Sequence, residues 1–421
     1  MLSFFISKCY FIFLLLWLKC DLILLINSLM GFDDVKETIL TCLPLQDAAR
    51  TSILSRKWRY MWMRLPQLVF DDMFCRESIR IEKNKLMMTI YQVLLLHCGP
   101  ILKFTLSLSG LESCSEIDQL VLFVSDNIIQ EFTLHIRKGA RYKLPSSLFS
   151  CLQLKHLNLC YCMFKPPPEF EGFSSLLRLE LCDVVITTDI FSSSISNCPL
   201  LEELTLEGCS SLDCLEIDAR NLMFLRCKSH VRSVCFKNAP LLAKVSILLA
   251  VQMNEKALKE GETSNMVMFF DSLPVIQFLE INYYYVRYMA AGGISKRLPI
   301  TLSHLTILVL YGICLGEPDE VSIVLCLIRS SPNLAKFKIE ATQDWSDVSS
   351  NQLREVEMKN MSGTRCELEF IKLLLAKSPM LETVLIEPNL DKDVDKGLRI
   401  LKELTRFRRL SPQAEITYGS L

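Results

Sequence analysis

Residues 154–181 read "LKHLNLCYCMFKPPPEFEGFSSLLRLEL", and the two ends of this stretch carry one spacing twice. Leu154, Leu157 and Leu159 follow the pattern apolar-x-x-apolar-x-apolar. Leu176, Leu179 and Leu181 repeat it 22 residues further on. The closing apolar-x-apolar alternation has the period of a short strand that turns two side chains inward. One such strand cannot bury its own apolar face and needs copies to stack against.

The copies are present. The same hexamer occurs at 101–106 (ILKFTL), 129–134 (IQEFTL), 201–206 (LEELTL), 212–217 (LDCLEI), 222–227 (LMFLRC), 231–236 (VRSVCF) and 242–247 (LAKVSI). It continues at 276–281 (IQFLEI), 305–310 (LTILVL), 334–339 (LAKFKI) and 381–386 (LETVLI). In the regular parts the starts lie 22 to 29 residues apart, the period of leucine-rich repeats. Stacking them gives one continuous core, hence a curved solenoid with a parallel sheet lining one side. Between 201 and 247 the hexamer returns about every ten residues, which predicts strands on both walls of a thin coil. Leu204, Leu225 and Val245 would share one wall, and Leu215 and Val234 the other. Cys162 and Cys209 fall three positions after the last strand leucine, where such repeats place Asn or Cys against the backbone of a turn. Residues 251–272 break the rhythm and read as a helix plus loop. The aromatic run "NYYYVRYMAAGG" at 282–293 reads as a core-facing element or as a projecting loop before a Gly-Gly hinge.

Composition narrows the function classes. The chain has 421 residues, half of them hydrophobic, with 46 Lys+Arg against 47 Asp+Glu. A balanced charge gives no global attraction to nucleic acid or to an anionic membrane. The 18 cysteines include no Cys-x-x-Cys, the closest pair being Cys160-x-Cys162, and the histidines are scattered. No metal site is expected from that spacing, and a disulfide framework belongs mainly to small secreted domains. The thiols read as small buried hydrophobes. No phosphate-binding Gly-rich loop, nucleophile elbow or H-E-x-x-H motif occurs. Cys160 with His156 is the one conceivable nucleophile–base pair, and strand alternation explains both without catalysis. No cofactor and no enzyme activity are expected.

Ahead of the repeats stands a different kind of sequence. Asp34-Val-Lys-Glu37 reads as a capping box, with Val35, Ile39, Leu40 and Leu43 on one helical face. Pro44 stops that helix. Gln46–Leu54 forms a second, with Ile53 and Leu54 as anchors. Ser55 caps a third, with Trp58, Met61 and Trp62 at i, i+3 and i+4. Arg56, Lys57, Arg59 and Arg64 lie mostly opposite. Three helices in thirty residues bury too little to stand alone and suit docking into a groove. "SRKWRYMW" at 55–62 also admits base stacking beside cations, but its tryptophans sit at core spacing and its charge is local.

The stretch "DDVKETILTCLPLQDAARTSILSRKWRYMW" at 33–62 resembles an F-box. The resemblance implies docking onto the Skp-type adaptor of a cullin–RING ubiquitin ligase. Carried over by position, the interface candidates are Val35, Ile39, Leu40, Leu43, Pro44, Leu45, Leu54, Ser55 and Trp58. Gly31-Phe32 replaces the Leu-Pro with which the family opens. The leader before it, with "CYFIFLLLWL" at 9–18 and "LILLI" at 22–26, has three readings: a signal peptide, a single membrane anchor through 9–26, or an altered start that is not part of the working protein. Lys19 and Asp21 cost insertion on the order of 3 kcal/mol each, and no small-x-small cleavage pattern follows.

At the other end, Leu368, Phe370, Ile371, Leu374 and Leu375 form a helical stripe followed by a strand at 384–386. "SG" at 362–363, "ELEFIKLLLAKSPMLE" at 367–382 and "LKELTRFRRLSPQAEI" at 401–416 resemble the FBD domain of plant F-box proteins. Lys396, Arg399, Lys402, Arg406, Arg408 and Arg409 read as a solvated helix face.

The expected fold is therefore α/β. A short three-helix F-box (31–80) follows a hydrophobic leader (1–30) and precedes an irregular leucine-rich-repeat solenoid with a parallel sheet (100–345). An FBD capping unit (346–421) closes the chain. The expected function is a substrate-recognition subunit of an SCF-type ligase, in cytoplasm or nucleus, binding adaptor and an unknown protein target but no nucleic acid. The alternative is a repeat-based binding module uncoupled from ubiquitination by its degraded F-box start, soluble or membrane-tethered.

Overall fold

The computed structural model describes residues 32–74, 83–249, 266–290, 298–313, 318–341, 352–361, 365–388 and 394–419. The chain divides into two compact units, Met1–Gly139 and Ala140–Leu421.

The first unit opens with helices α1 (Phe32–Thr41) and α2 (Leu45–Arg50) and two short 3-10 turns, Thr51–Ile53 and Met61–Arg64. Strand β1 (Gln67–Asp71), helix α3 (Lys83–Leu96), strand β2 (Lys103–Ser107), helix α4 (Glu116–Ser125) and strand β3 (Glu131–His135) follow. β1, β2 and β3 pair in parallel, with Leu68, Phe104 and Phe132 in one row and Phe70, Leu106 and Leu134 in another. All six side chains are buried. Rings stack through them, Phe70 to Phe104 and Phe104 to Phe132 each at 5.9 Å between centroids. β1 lies in "LPQLVF" at 65–70, a further copy of the hexamer that composes the repeats.

The second unit contains strands β4 (Tyr142–Lys143), β5 (His156–Cys160), β6 (Cys162–Met163), β7 (Arg178–Cys182), β8 (Glu203–Glu207), β9 (Cys214–Asp218) and β10 (Phe224–Lys228). They are followed by β11 (Ser233–Asn238), β12 (Lys244–Ile247), β13 (Phe278–Asn282), β14 (Ile307–Ile313), β15 (Lys336–Ala341), β16 (Glu355–Met361), β17 (Thr383–Pro388) and β18 (Glu415–Tyr418). Its main sheet runs β5-β7-β8-β10-β12-β13-β14-β15-β16-β17-β18. Each neighbouring pair is parallel. Each of the thirteen hexamers contains a strand. The two-wall reading of 201–247 holds: β8, β10 and β12 are adjacent in the main sheet, while β9 and β11 pair apart from it.

One backbone device repeats along this sheet. The carbonyl just before a strand accepts two N–H groups from the next repeat. Leu177 O takes Glu202 N and Glu203 N at 2.8 and 3.0 Å, and Glu202 O takes Met223 N and Phe224 N at 2.8 and 3.1 Å. The same fork recurs from Arg354 O to Glu382 N and Thr383 N. Through it, the C-terminal strands β16 and β17 join the sheet as further rungs. Between them the helix Arg365–Lys377 buries Phe370, Ile371, Leu374 and Leu375, the stripe expected from its spacing.

Several expectations change. The third N-terminal helix does not form: after Ser55 the chain makes turns and the 3-10 segment Met61–Arg64. Its backbone bonds are of i to i+3 type, Trp58 N to Ser55 O and Met61 N to Trp58 O. A half-exposed aromatic stripe gives too little burial to hold an isolated α-helical turn. Asp34 lies inside α1, which already includes Phe32, and so is not its N-cap. The run at 282–293 is not a projecting loop where it is described: Tyr283–Ala290 is a helix that buries Tyr285, Val286 and Met289. Residues 251–265 and 291–297 lie outside the described residues. So does the leader, including 9–26; among the described residues no helix is long and apolar enough to cross a membrane.

Candidate functional site

The N-terminal helices place their predicted contact residues unequally. Pro44, Leu54 and Ser55 are exposed, and Ile39, Leu43 and Trp58 are partly exposed. Leu40 and Leu45 are not available on the surface: at 0 % and 6 % exposure they belong to the core of this unit. The reason is local. α1 is joined to α2 through only Cys42, Leu43 and Pro44, and that tight corner turns Leu40 and Leu45 toward Leu65, Leu68 and Phe74, all buried. Val35 lies on α1, and its side chain is outside the described residues.

The loop that failed to become a helix supplies surface that spacing alone did not assign. Ile53 is 70 % exposed and Tyr60 64 %, beside Leu54 at 59 %. Ile53, expected with Leu54 to anchor the second helix, lies instead in the 3-10 turn Thr51–Ile53 and is exposed to solvent. Ser52 Oγ donates to Arg59 O at 2.9 Å and ties the two sides of this loop together. A groove opens between the α1–α2 corner and β1, lined by Cys42, Leu43, Pro44, Val69 and Met73. Gln46 Nε2 donates to Phe74 O, and Cys98 N to Met63 O at 2.8 Å, so the helical module is tied to the first repeat strands. Apolar side chains held outward on a fixed frame are what docking needs.

The outward face of the second unit's sheet is polar and self-paired. Arg178 meets Glu203 at 2.8 Å, Arg226 meets Glu207 at 3.1 Å and Arg354 meets Glu382 at 2.7 Å, each across neighbouring strands. Glu357 receives Lys338 at 2.9 Å and Lys359 at 3.0 Å. Partial burial pushes the Glu357 carboxyl upward, but the two ammonium groups outweigh it and hold it below the ordinary carboxylate range. The face offers alternating charge, not a field of one sign.

The thiols fall into the structural role expected of them. Cys162 Sγ donates to Cys160 O at 3.3 Å, and Cys209 Sγ to Leu181 O at 3.5 Å, both thiols buried, the first in the short strand β6 and the second just past β8. Burial pushes Cys162 and Cys227 up to about 12 and Cys209 up to about 11, which leaves them inert. His156 and Cys160 are not brought together: four residues along one strand separates them by roughly 13 Å. Strand pairing instead sets Cys160 opposite Cys182, one repeat away. Spacing along the chain gave no hint of that neighbour.

Two helices and a turn-rich loop ahead of stacked parallel strands define a small helical module followed by a leucine-rich-repeat scaffold. The comparisons with known proteins match both parts. The F-box domain family matches residues 32–69. The family described as "FBD-associated F-box protein At5g56370, LRR repeats" matches 117–339. The chain is 38 % identical over 400 residues to the F-box/FBD/LRR-repeat protein At1g13570 of Arabidopsis thaliana, covering 91 % of this chain and 95 % of that one. It is 24 % identical to the probable FBD-associated F-box protein At1g32375 of the same plant, over 90 % and 96 % of the two chains. With the putative F-box/FBD/LRR-repeat protein At4g00315, also of Arabidopsis thaliana, it shares 27 % over 79 % and 80 %. The chain belongs to the F-box/FBD/LRR-repeat family.

Proposed function

We propose that this chain is the substrate-recognition subunit of an SCF-type cullin–RING ubiquitin ligase. The surface of Leu43, Pro44, Ile53, Leu54 and Trp58 docks the Skp-type adaptor, and the repeat sheet holds a protein target. The segment 346–421 acts as an FBD unit that closes the open end of the repeats, where a bare terminal repeat would leave apolar surface in water. The chain forms no bond itself. It raises the effective concentration of target beside the ubiquitin-loaded enzyme and so makes transfer effectively intramolecular. It works in the cytoplasm or nucleus. The observation that carries this reading is the contrast within one chain: the inward strand rows of the repeats, such as Leu204, Leu206 and Leu225, are fully buried, while the N-terminal module keeps Pro44, Ile53 and Leu54 outside.

The test is co-purification of the full chain with a plant Skp-type adaptor and a cullin. Retention that falls when Leu54 and Trp58 are replaced by alanine supports the reading. No retention by the unaltered chain removes it. That second result would favour a repeat-based binding module uncoupled from ubiquitination, the reading motivated by Gly31-Phe32 in place of Leu-Pro.

A further inference from the structure

The ends of strands β5 and β7 hold a cluster that neither adaptor docking nor target binding uses. Parallel pairing sets Cys160 directly opposite Cys182 on the last rung of the two strands. Asp183 follows at once and has φ 51, a left-handed conformation that costs a residue with a Cβ on the order of 1–2 kcal/mol. This turn folds the carboxylate back over the strand end, with Cys182 Sγ 3.8 Å from Asp183 Oδ2. The two sulfurs and one carboxylate oxygen all lie within 4.8 Å of one another. Ligand atoms around a tetrahedral zinc stand roughly 3.3–3.8 Å apart, given metal–ligand lengths of about 2.0–2.3 Å. Side-chain rotation closes the remaining gap.

The surroundings fit a cation. Just after β8, Gly208 has φ 62, and a Cβ there would overlap Asp183 Oδ1. A glycine at this rung leaves the carboxylate its place. Glu207, opposite Cys182 on β8, is a second carboxylate nearby, paired with Arg226 at 3.1 Å. Arg141, a second cation at this end, donates from its guanidinium to the Asp183 carbonyl and lies 4.8 Å from the centre of the Tyr161 ring. Cys160 is buried, Cys182 half-buried and Asp183 exposed, so the cluster has a protein side and a solvent side. Packing alone explains Cys160 but gives no reason for the carboxylate.

We propose that Cys160, Cys182 and Asp183 form a site for a divalent cation of the zinc class, bound by two thiolates and one carboxylate with a fourth position open to water. Binding releases two thiol protons to solvent and leaves the first shell with one net negative charge. The metal would tie adjacent repeats together at the exposed end of their strands.

Cobalt(II) is the probe. The reduced, metal-free full chain titrated with Co²⁺ is expected to develop thiolate-to-cobalt charge-transfer absorption that saturates at one equivalent and that Zn²⁺ displaces. C160S and C182S should each lose at least half of that band. D183N should weaken affinity by about tenfold or more, the scale on which even outer-shell partners act. Cys214→Ser, a half-buried thiol on β9, should change nothing. Circular dichroism checks folding, and C182S and D183N, at partly exposed positions, keep the test readable if C160S does not fold. Absence of the band in the unaltered chain overturns the site. So does a band that persists in C182S, one that C214S diminishes equally, or an affinity unchanged in D183N. None of these readouts depends on adaptor binding.

Discussion

The N-terminal module and the repeats use the same apolar residues for opposite ends. In the repeats, inward rows such as Leu204, Leu225 and Val245 are wholly buried, and the outward charges find partners across the strands. In the module, Pro44, Ile53, Leu54 and Tyr60 stay in water. The repeats can afford no vacancy, since each rung is the surface on which the next one packs. Among the described residues the module's core is small, around Leu40, Leu45 and Ala48, and several of its other apolar side chains stay exposed. The proposal therefore assigns stability to one region and docking to the other, and mutations should separate them.

The largest expected effect is on the repeat side. Leu225 has buried neighbours on both flanking strands, Leu204 and Val245. Leu225→Ala should cost about 2–5 kcal/mol of unfolding free energy, transfer and cavity terms together, read from urea denaturation followed by circular dichroism. A loss below ~1 kcal/mol would show that the rungs do not support one another as described.

On the module side the sign of the comparison reverses. Leu54→Ala removes an exposed side chain, and its unfolding free energy should stay within about 0.5 kcal/mol of the unaltered chain. Adaptor affinity should nonetheless fall by about tenfold or more, roughly 1.4 kcal/mol, in a binding titration. Equal loss of both quantities would mean that the module's surface and core are one thing.

A smaller change probes the strand ends. Gly208→Ala puts a Cβ on a residue of positive φ and into the space of the Asp183 carboxylate. It should lower stability by about 1 kcal/mol, with little effect on adaptor binding, because the position follows β8 and is not in the N-terminal module. A stabilised G208A chain would deny the glycine its role.

What could be read from sequence divides along the same line. The hexamers located their strands because each inward pair must be apolar and the period of two is strict. They even assigned Leu215 and Val234 to a separate wall. Five strands were not anticipated: the two-residue β4 and β6, and β1, β16 and β18. Leu65, Leu68 and Phe70 carry the pattern at β1, and Leu353, Val356 and Met358 carry it at β16. Both escaped because they sit inside stretches that resembled other things. The module was harder. Its identity was legible from "LPLQDAARTSILSRKWRYMW" at 43–62, but not which side chains face out. In short turns a single i to i+3 bond redirects a residue, as at Ile53, and periodicity has no hold there. The thiol cluster was illegible for another reason: Cys160 and Cys182 meet by strand register across 22 residues, and no local motif records a register.

The finest test concerns charge on the sheet face. Glu357 sits between Lys338 and Lys359, which hold its carboxyl below the ordinary range against the upward push of partial burial. A carboxyl depressed in the folded state contributes stability above its unfolded value, near 4.3, and loses it as pH falls through the lower folded value. Solvent reaches all three side chains, so the effect is expected within the range of surface ion pairs, about 0–1 kcal/mol. Glu357→Gln should accordingly be slightly less stable than the unaltered chain at pH 7, and the difference should close as pH is lowered from about 4 toward 3. Urea midpoints for both proteins across that window provide the measurement. A difference that stays constant with pH would trace the loss to packing on the strand, and the outward face would then be held by shape, as the inward face is, and not by paired charge.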